Sequence, residues 1–241
     1  MDVYETKTIA ERLSGNPYPG RGIILGINPQ ADKIVSAYFI MGRSENSRNR
    51  IFVKDGDDLM IEPFDESKVE DPSLIIYYPL RVYKDYIILT NGDQTDTIRD
   101  HLDRQETFAD ALRTRCFEPD GPNWTPRISG IAWVSHSRIP YYKMSIIKAG
   151  DPDGIINSRY FFEYEGAPGL GHYLHTYVTD GNPIPTFQGE PERIDIPNDI
   201  GQFASEIWEA LDENNKISLY VRYTSIDDGK YEDVLINKYQ D

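Results

Sequence analysis

Ile34-Val35-Ser36-Ala37-Tyr38-Phe39-Ile40-Met41 runs straight into Gly42-Arg43-Ser44-Glu45-Asn46-Ser47-Arg48-Asn49-Arg50, and that into Ile51-Phe52-Val53. The outer segments are apolar and rich in β-branched and aromatic residues, which suit a buried pleated surface. Between them lies a polar stretch with three arginines, in a chain of formal net charge -15. A loop held at both ends by strands is where a scaffold places function. Guanidinium forks among short hydroxyl and amide side chains suit a phosphate or carboxylate ligand. A solvated, salt-bridged turn is the other reading of the same residues.

Working outward, Gly22–Ile27 reads as the strand before it, joined through Asn28-Pro29-Gln30-Ala31-Asp32-Lys33. The turn-rich entry Asn16-Pro17-Tyr18-Pro19-Gly20-Arg21 forbids helix, and a short polar helix within Met1–Leu13 leads into it. Downstream, Ile51–Val53 and Asp58–Ile61 flank the hairpin signal Asp55-Gly56-Asp57. Leu74–Val82 and Tyr86–Leu89 pair around Lys84-Asp85. After Asn91-Gly92, with Thr95 or Asp96 placed to cap, helical spacing of Ile98, Leu102, Phe108, Ala111 and Leu112 predicts one helix or two broken near Glu106. Phe117–Arg127 holds three prolines and is irregular; strands resume at Ile128–Ser135, Tyr141–Lys148, Tyr160–Tyr164 and Tyr173–Val178. Asp199–Leu211 is an amphipathic helix, and Ile217–Ile226 with Tyr231–Tyr239 closes the chain as a hairpin across Asp227-Asp228-Gly229. No repeat, low-complexity tract or linker interrupts this order. The pattern is α+β, two antiparallel sheets packed face to face with helices outside, and residues 1–241 read most simply as a single domain.

With 241 residues the chain can bury a sizeable core. Its acidity argues against a nucleic-acid polymer or an anionic membrane as partner, since both require a basic surface. A phosphorylated small molecule needs only a locally basic pocket, which the Arg43–Arg50 segment could supply. The single cysteine, Cys116, precludes an internal disulfide framework and fits a reducing compartment. The first residues carry no apolar signal core and no run is long enough to span a bilayer, so the expected location is cytoplasmic.

Among titratable residues, His172 and His175 lie close together in sequence, with His101 and His136 apart. Zinc sites need three or four ligands at characteristic spacings; neither HExxH nor CxxC accompanies this pair, and no metal is expected. The chain has no nucleophile elbow, Walker loop or dinucleotide fingerprint. Glu118 opens the proline-rich segment, where a rigidly held carboxylate can act as general acid or base, though a surface glutamate reads the same. Cys116 beside Arg115 reads as packed rather than reactive.

Several stretches taken in order resemble one family. Tyr18-Pro19-Gly20-Arg21, the Arg43-Ser44 and Asn49-Arg50 ends of the arginine segment, Tyr77 ahead of Leu80-Arg81, Thr90-Asn91-Gly92-Asp93-Gln94-Thr95-Asp96, and Asn123-Trp124-Thr125-Pro126-Arg127-Ile128 are similar to the archaeal-type IMP cyclohydrolases in sequence and spacing. The resemblance implies a four-layer αββα sandwich of two antiparallel sheets flanked by helices, N-terminal-nucleophile-hydrolase-like but without that mechanism. It implies a cyclohydrolase, a hydrolase of a cyclic amidine C–N bond, closing 5-formamidoimidazole-4-carboxamide ribonucleotide to inosine monophosphate with loss of water in the last step of purine synthesis. The partner would be a purine ribonucleotide with no cofactor; a homo-oligomer is compatible with it.

On this resemblance Tyr77, Glu118 and Arg50 form the catalytic set. Arg21, Arg43, Ser44, Asn49, Asn91, Gly92, Thr95, Asp96, Asn123 and Arg127 line the substrate site. Glu118 moves the proton, Tyr77 donates to the oxyanion or orients the formamide, and at least one arginine meets the phosphate. Arg48 falls where the family segment is about two residues shorter and stays outside the set. Beyond Tyr160 the resemblance fades, and Tyr160–Gly189 reads as an addition: a lid, a dimer surface or a remodelled site. Two other functions fit the same residues. A non-catalytic purine-nucleotide-binding protein would keep the arginines alone. An N-terminal-nucleophile amidohydrolase needs Cys, Ser or Thr at the mature N-terminus, where this sequence reads Met1-Asp2. A purely structural module would leave the arginines unexplained.

Overall fold

A computed structural model describes residues 4–69, 77–134 and 140–239; residues 74–76 of the strand expected from Leu74, and His136, lie outside them. In chain order the elements are α1 (Ile9–Leu13), β1 (Arg21–Ile27), β2 (Lys33–Met41), α2 (Glu45–Arg48), β3 (Ile51–Asp55), β4 (Asp58–Glu62), β5 (Leu80–Tyr83) and β6 (Tyr86–Thr90). Then come α3 (Gln94–Asp103), α4 (Phe108–Arg113), β7 (Arg127–Trp133), β8 (Tyr141–Ala149), β9 (Asn157–Glu165), β10 (Leu170–His175), β11 (Glu192–Asp195), α5 (Ile200–Ala210), β12 (Lys216–Ser225) and β13 (Tyr231–Asn237).

The strands form two antiparallel sheets, one in the order β11-β10-β1-β2-β12-β13 and the other in the order β3-β4-β5-β6-β7-β8-β9. Strand β2 shows why the opening stretch decides the architecture. Side chains alternate across a strand, so Ile34, Tyr38 and Ile40 enter the core between the sheets. Val35, Ala37, Phe39 and Met41 enter a second core under α1 and α5. A strand apolar on both faces must be covered on both. The second sheet buries Leu89 and Ile128 inward and Ile88, Ile131 and Ile147 outward, against Ile98 of α3 and Phe108, Ala111 and Leu112 of α4. Each such side chain, fully buried, contributes about 1.5–3 kcal/mol. No helix among the described residues is long and apolar enough to cross a membrane.

Three details differ from the expectations, and one of two open readings holds. The arginine segment is not an open loop but a helical turn, because Ser44 and Ser47 form a reciprocal capping box around α2. Helix α3 is capped at Asp93 rather than at Thr95 or Asp96, and the Asp93 side chain makes no cap bond. The break between α3 and α4 is real, with Thr107 capping the second helix through Asp110. Lastly, Tyr160–Gly189 is not an appended segment. Strand β10 pairs with β1 on one side, Ile24 opposite Tyr173, and with β11 on the other. The short strand β11 itself had no periodic signal in its four residues.

Candidate active site

Strands β1 and β6 and the irregular segment before β7 meet at one end of the sandwich. There they enclose a cavity of about 550 Å³ lined by Arg21, Arg50, Tyr77, Asn91, Gly92, Glu118 and Arg127 among others. Arg21 opens β1 and Arg50 stands immediately before β3, so each sheet delivers one arginine to the same end. The two are close enough to act on each other. Burial first, and then the like charge of Arg21, hold the Arg50 guanidinium below its ordinary pKa. Both Nε atoms are buried without a hydrogen-bond partner, and among the described residues no carboxylate pairs with either side chain. Two desolvated cations with no counter-ion are costly unless an anion completes the arrangement.

Tyr77, buried beside them, shares a 3.0 Å hydrogen bond between its hydroxyl and that of Tyr38. Across the cavity stands Glu118. Burial pushes its carboxyl above the usual range, against the pull of Arg127 and then Arg21. Its Oε1 lies 3.0 Å from Nη1 of Arg127. The same Nη1 donates to Asp93 at 2.8 Å and to Gln94 at 2.6 Å, while Nε donates to the Cys116 carbonyl at 2.9 Å. Burial alone would raise the Asp93 pKa, but Arg115 and Arg127 outweigh it and hold that carboxyl low.

The segment carrying Glu118 is tied down at several points. Its amide donates to the Thr125 carbonyl at 2.9 Å, and the Thr125 amide donates to Asp120 at 2.7 Å. Trp124, held at φ +44°, donates its ring N–H to the Pro152 carbonyl at 2.9 Å. A carboxylate so fixed has little freedom to leave its place, as a proton-transfer group requires.

The remaining expected site residues divide into supports and outliers. Asn91 lines the cavity but spends its side chain on the backbone, accepting from the Ile128 amide at 2.9 Å and donating to the Pro126 carbonyl at 2.9 Å. It thereby fixes β6 to the start of β7. At Gly92 a Cβ would come within 2.6 Å of Arg127 Nη1 and 2.7 Å of Gln94 Oε1, so the backbone approaches the Arg127 cluster as closely as it does only because the residue is glycine. Thr95 is buried against Thr90 and the Gly92 carbonyl. Asn123 accepts from the Ile184 amide at 3.0 Å and holds the segment from outside.

Four others point elsewhere. Arg43 pairs with Asp180, donates to the Gly181 carbonyl at 2.9 Å and lies over the Tyr18 ring. Ser44 caps α2. Asn49 exchanges two bonds with the Asp65 backbone. Asp96 pairs with Arg81 and Arg99 on the outer surface. Arg48, kept apart from the set, donates to the Gly42 carbonyl.

Asp93, Pro119, Asp120 and Thr125 also line the cavity and lie outside the expected set. Asp93 and Thr125 stood inside the quoted blocks, so position in those blocks was the available signal; Asp120 had none beyond its place in the proline-rich segment. His172 and His175 do not come together. Three residues apart on β10, they leave on opposite faces. His172 stacks on Tyr164 with ring centroids 3.6 Å apart, and His175 stacks on Tyr173. Among the described residues no group of three His, Cys, Asp or Glu side chains is placed to hold a metal ion.

Comparison with known proteins bears on this end of the molecule directly. The chain is 26% identical over 200 residues to an IMP cyclohydrolase of Methanopyrus kandleri, which covers 78% of this chain and 98% of the relative. It is 28% identical over 164 residues to an IMP cyclohydrolase of Methanococcus aeolicus, covering 66% of this chain and 74% of that one. With an IMP cyclohydrolase of Methanothrix thermoacetophila it shares 30% identity over 118 residues, 47% of this chain and 57% of the other. A family model described as IMP cyclohydrolase-like protein matches residues 18–229, a span that holds both sheets nearly whole and every residue of the cavity. This chain belongs to the IMP cyclohydrolase-like protein family.

Proposed function

We propose that this cavity closes 5-formamidoimidazole-4-carboxamide ribonucleotide to inosine monophosphate with loss of water. The observation that carries the proposal is the pair Arg21 and Arg50: two guanidiniums, buried at Nε and without counter-ions among the described residues, in an acidic chain. They supply a site for the 5′-phosphate dianion.

The carboxamide nitrogen and the formyl carbon already sit on neighbouring ring atoms of the substrate, so holding the two groups in an attack geometry removes much of the barrier. As the C–N bond forms, the formyl oxygen gains negative charge. The Tyr77 hydroxyl, oriented by Tyr38, donates to it. Glu118 takes the carboxamide proton as a carboxylate. It returns that proton to the oxyanion, giving a hydroxyl. In the second step it takes the N–H proton of the former formamide and delivers it to that hydroxyl, which leaves as water as the C=N bond of the pyrimidine forms. A carboxyl with a raised pKa suits both halves of this exchange. The helix–sheet–sheet–helix layering fits the N-terminal-nucleophile-hydrolase-like architecture, and no terminal nucleophile takes part.

The test is a direct assay with the formamido ribonucleotide, following inosine monophosphate by absorbance against the uncatalysed rate. Parent protein should turn over. Glu118→Gln should lower kcat by about 10²–10⁴-fold, and Tyr77→Phe by about 10²–10³-fold. Tight nucleotide binding by the parent without any turnover would instead make this a binding protein.

A further inference from the structure

A second cavity, of about 240 Å³, lies at the other end of the sandwich. Its position follows from the strand register. The active-site end of β2 is Met41; its far end pairs Ile34 with Thr224 and Lys33 with Ser225 of β12. With about 3.3 Å per residue along β2, the two cavities stand roughly 25 Å apart. The β5–β6 turn, the end of β7 and the β12–β13 turn close this end.

Alternation along β12 sends Tyr220, Arg222 and Thr224 inward between the sheets. Arg222 is 1% exposed. Its Nε donates to the Tyr220 hydroxyl at 2.8 Å, its Nη2 donates to the Asp57 carbonyl at 2.7 Å, and its guanidinium lies 3.8 Å from the centroid of the Tyr231 ring. Its direct partners are neutral, though the Tyr220 hydroxyl donates on to Asp233 at 2.8 Å and the Tyr231 hydroxyl to Asp57 Oδ1 at 2.9 Å. Among the described residues no carboxylate forms an ion pair with Arg222, and Nη1 has no partner. Thr224, two residues on and 4% exposed, lines the same cavity with a buried hydroxyl that has no hydrogen-bond partner. A buried cation with no direct ion pair, beside an orphan hydroxyl, is an unfinished polar site.

The mouth has the opposite character. Asp85 and Asp227 line it and are exposed, and neither carboxylate has a salt bridge or side-chain hydrogen bond among the described residues. Asp57 and Asp228 line it too, the latter paired with Lys230, and Lys84 adds a cation at the rim. Aliphatic side chains of Val82, Ile87 and Ile226 also line the cavity. We propose that this cavity binds a small zwitterion, an ω-amino carboxylate with a short apolar body. Its carboxylate meets Arg222 Nη1 and the Thr224 hydroxyl, and its ammonium group meets Asp85 and Asp227. A phosphate dianion is excluded, because the acidic mouth repels it where the first cavity presents paired arginines.

Calorimetric titration of the full chain with 4-aminobutyrate and 6-aminohexanoate tests this without reference to turnover. At least one of the two should bind, while hexanoate, hexylamine and inorganic phosphate should each bind at least about tenfold more weakly, the value of one lost charge-assisted contact. Asp85→Asn with Asp227→Asn, both exposed and outside the core, should weaken the zwitterion about tenfold and leave hexanoate unchanged. Thr224→Val should weaken it while leaving the fold as stable as the parent or more so, since it removes an unsatisfied hydroxyl. Failure of both amino acids to bind, or hexanoate or phosphate binding equally well, would overturn the proposal.

Discussion

Arg127 reaches four acceptors from one buried position, two of them cavity carboxylates; Asp93 is held low, while Glu118 has the raised pKa that suits proton transfer. The Arg127 charge is the largest influence pulling the Glu118 pKa down against burial. Replacing it with leucine should therefore raise that pKa further. If ionised Glu118 is the base, activity falls as pH falls through its pKa, so in Arg127→Leu the acid limb of the kcat/KM profile should move to higher pH. A limb that stays in place would remove Glu118 from the base role. Arg50 sits under the reverse constraint. Its folded pKa is depressed by burial and by Arg21, so carrying its charge costs stability throughout the neutral range. Arg50→Met should raise the thermal midpoint by a few degrees and abolish the further rise that inosine monophosphate gives the parent; both are read by calorimetric scanning.

At the scale of elements, β10 carries a consequence of its own. Burial depresses the pKa of His172 and of His175 to about 4, against an ordinary 6.5. A depressed folded pKa means that the stabilisation is present above the unfolded pKa and is lost as pH falls from 6.5 towards 4. Each histidine can account for about 3 kcal/mol of that loss. Urea midpoints measured from pH 7 to pH 4 should fall steeply in the parent and less steeply in His172→Gln. The elements were largely legible in the sequence where one residue pattern ran long enough: β1, β2, β12, α5 and the α3–α4 break follow from periodicity and turn residues. Element α2 was not, because the same Ser-x-x-Ser that looks like polar loop chemistry also builds a capping box. Nor was β11, whose four residues are too few to show a period.

Across the whole molecule the site is less legible than the fold, and for a physical reason. Arginines in an acidic chain mark where an anion could go, but whether each is free depends on partners far away in sequence. Arg43 meets Asp180 and Arg48 meets the Gly42 carbonyl and Asn215, while the side chains of Arg21 and Arg50 meet none among the described residues; local spacing gives the same reading for all four. Expecting Tyr160–Gly189 to be an addition failed similarly. A fading resemblance speaks of sequence drift, whereas β10 is placed by pairing, with Gly26 and Gly171 opposite each other so closely that a Cβ on Gly26 would come within 2.7 Å of the Gly171 Cα. Removing residues 166–189 should therefore leave no cooperative unfolding transition by circular dichroism, whereas loss of a mere lid would leave one.

Strand β1 pairs on one side with its immediate successor and on the other with a strand that follows almost 150 residues later, counting from Arg21–Ile27 to Leu170–His175. A ribosome delivers the β1–β2 hairpin long before either of its flanking strands exists. Until β10 and β12 emerge, both edges of that hairpin and both of its apolar faces are uncovered, the condition under which nascent chains pair with one another. Synthesis of this protein thus passes through a long interval in which a strongly apolar segment has to be shielded by something other than its own sheet, and slower translation lengthens that interval.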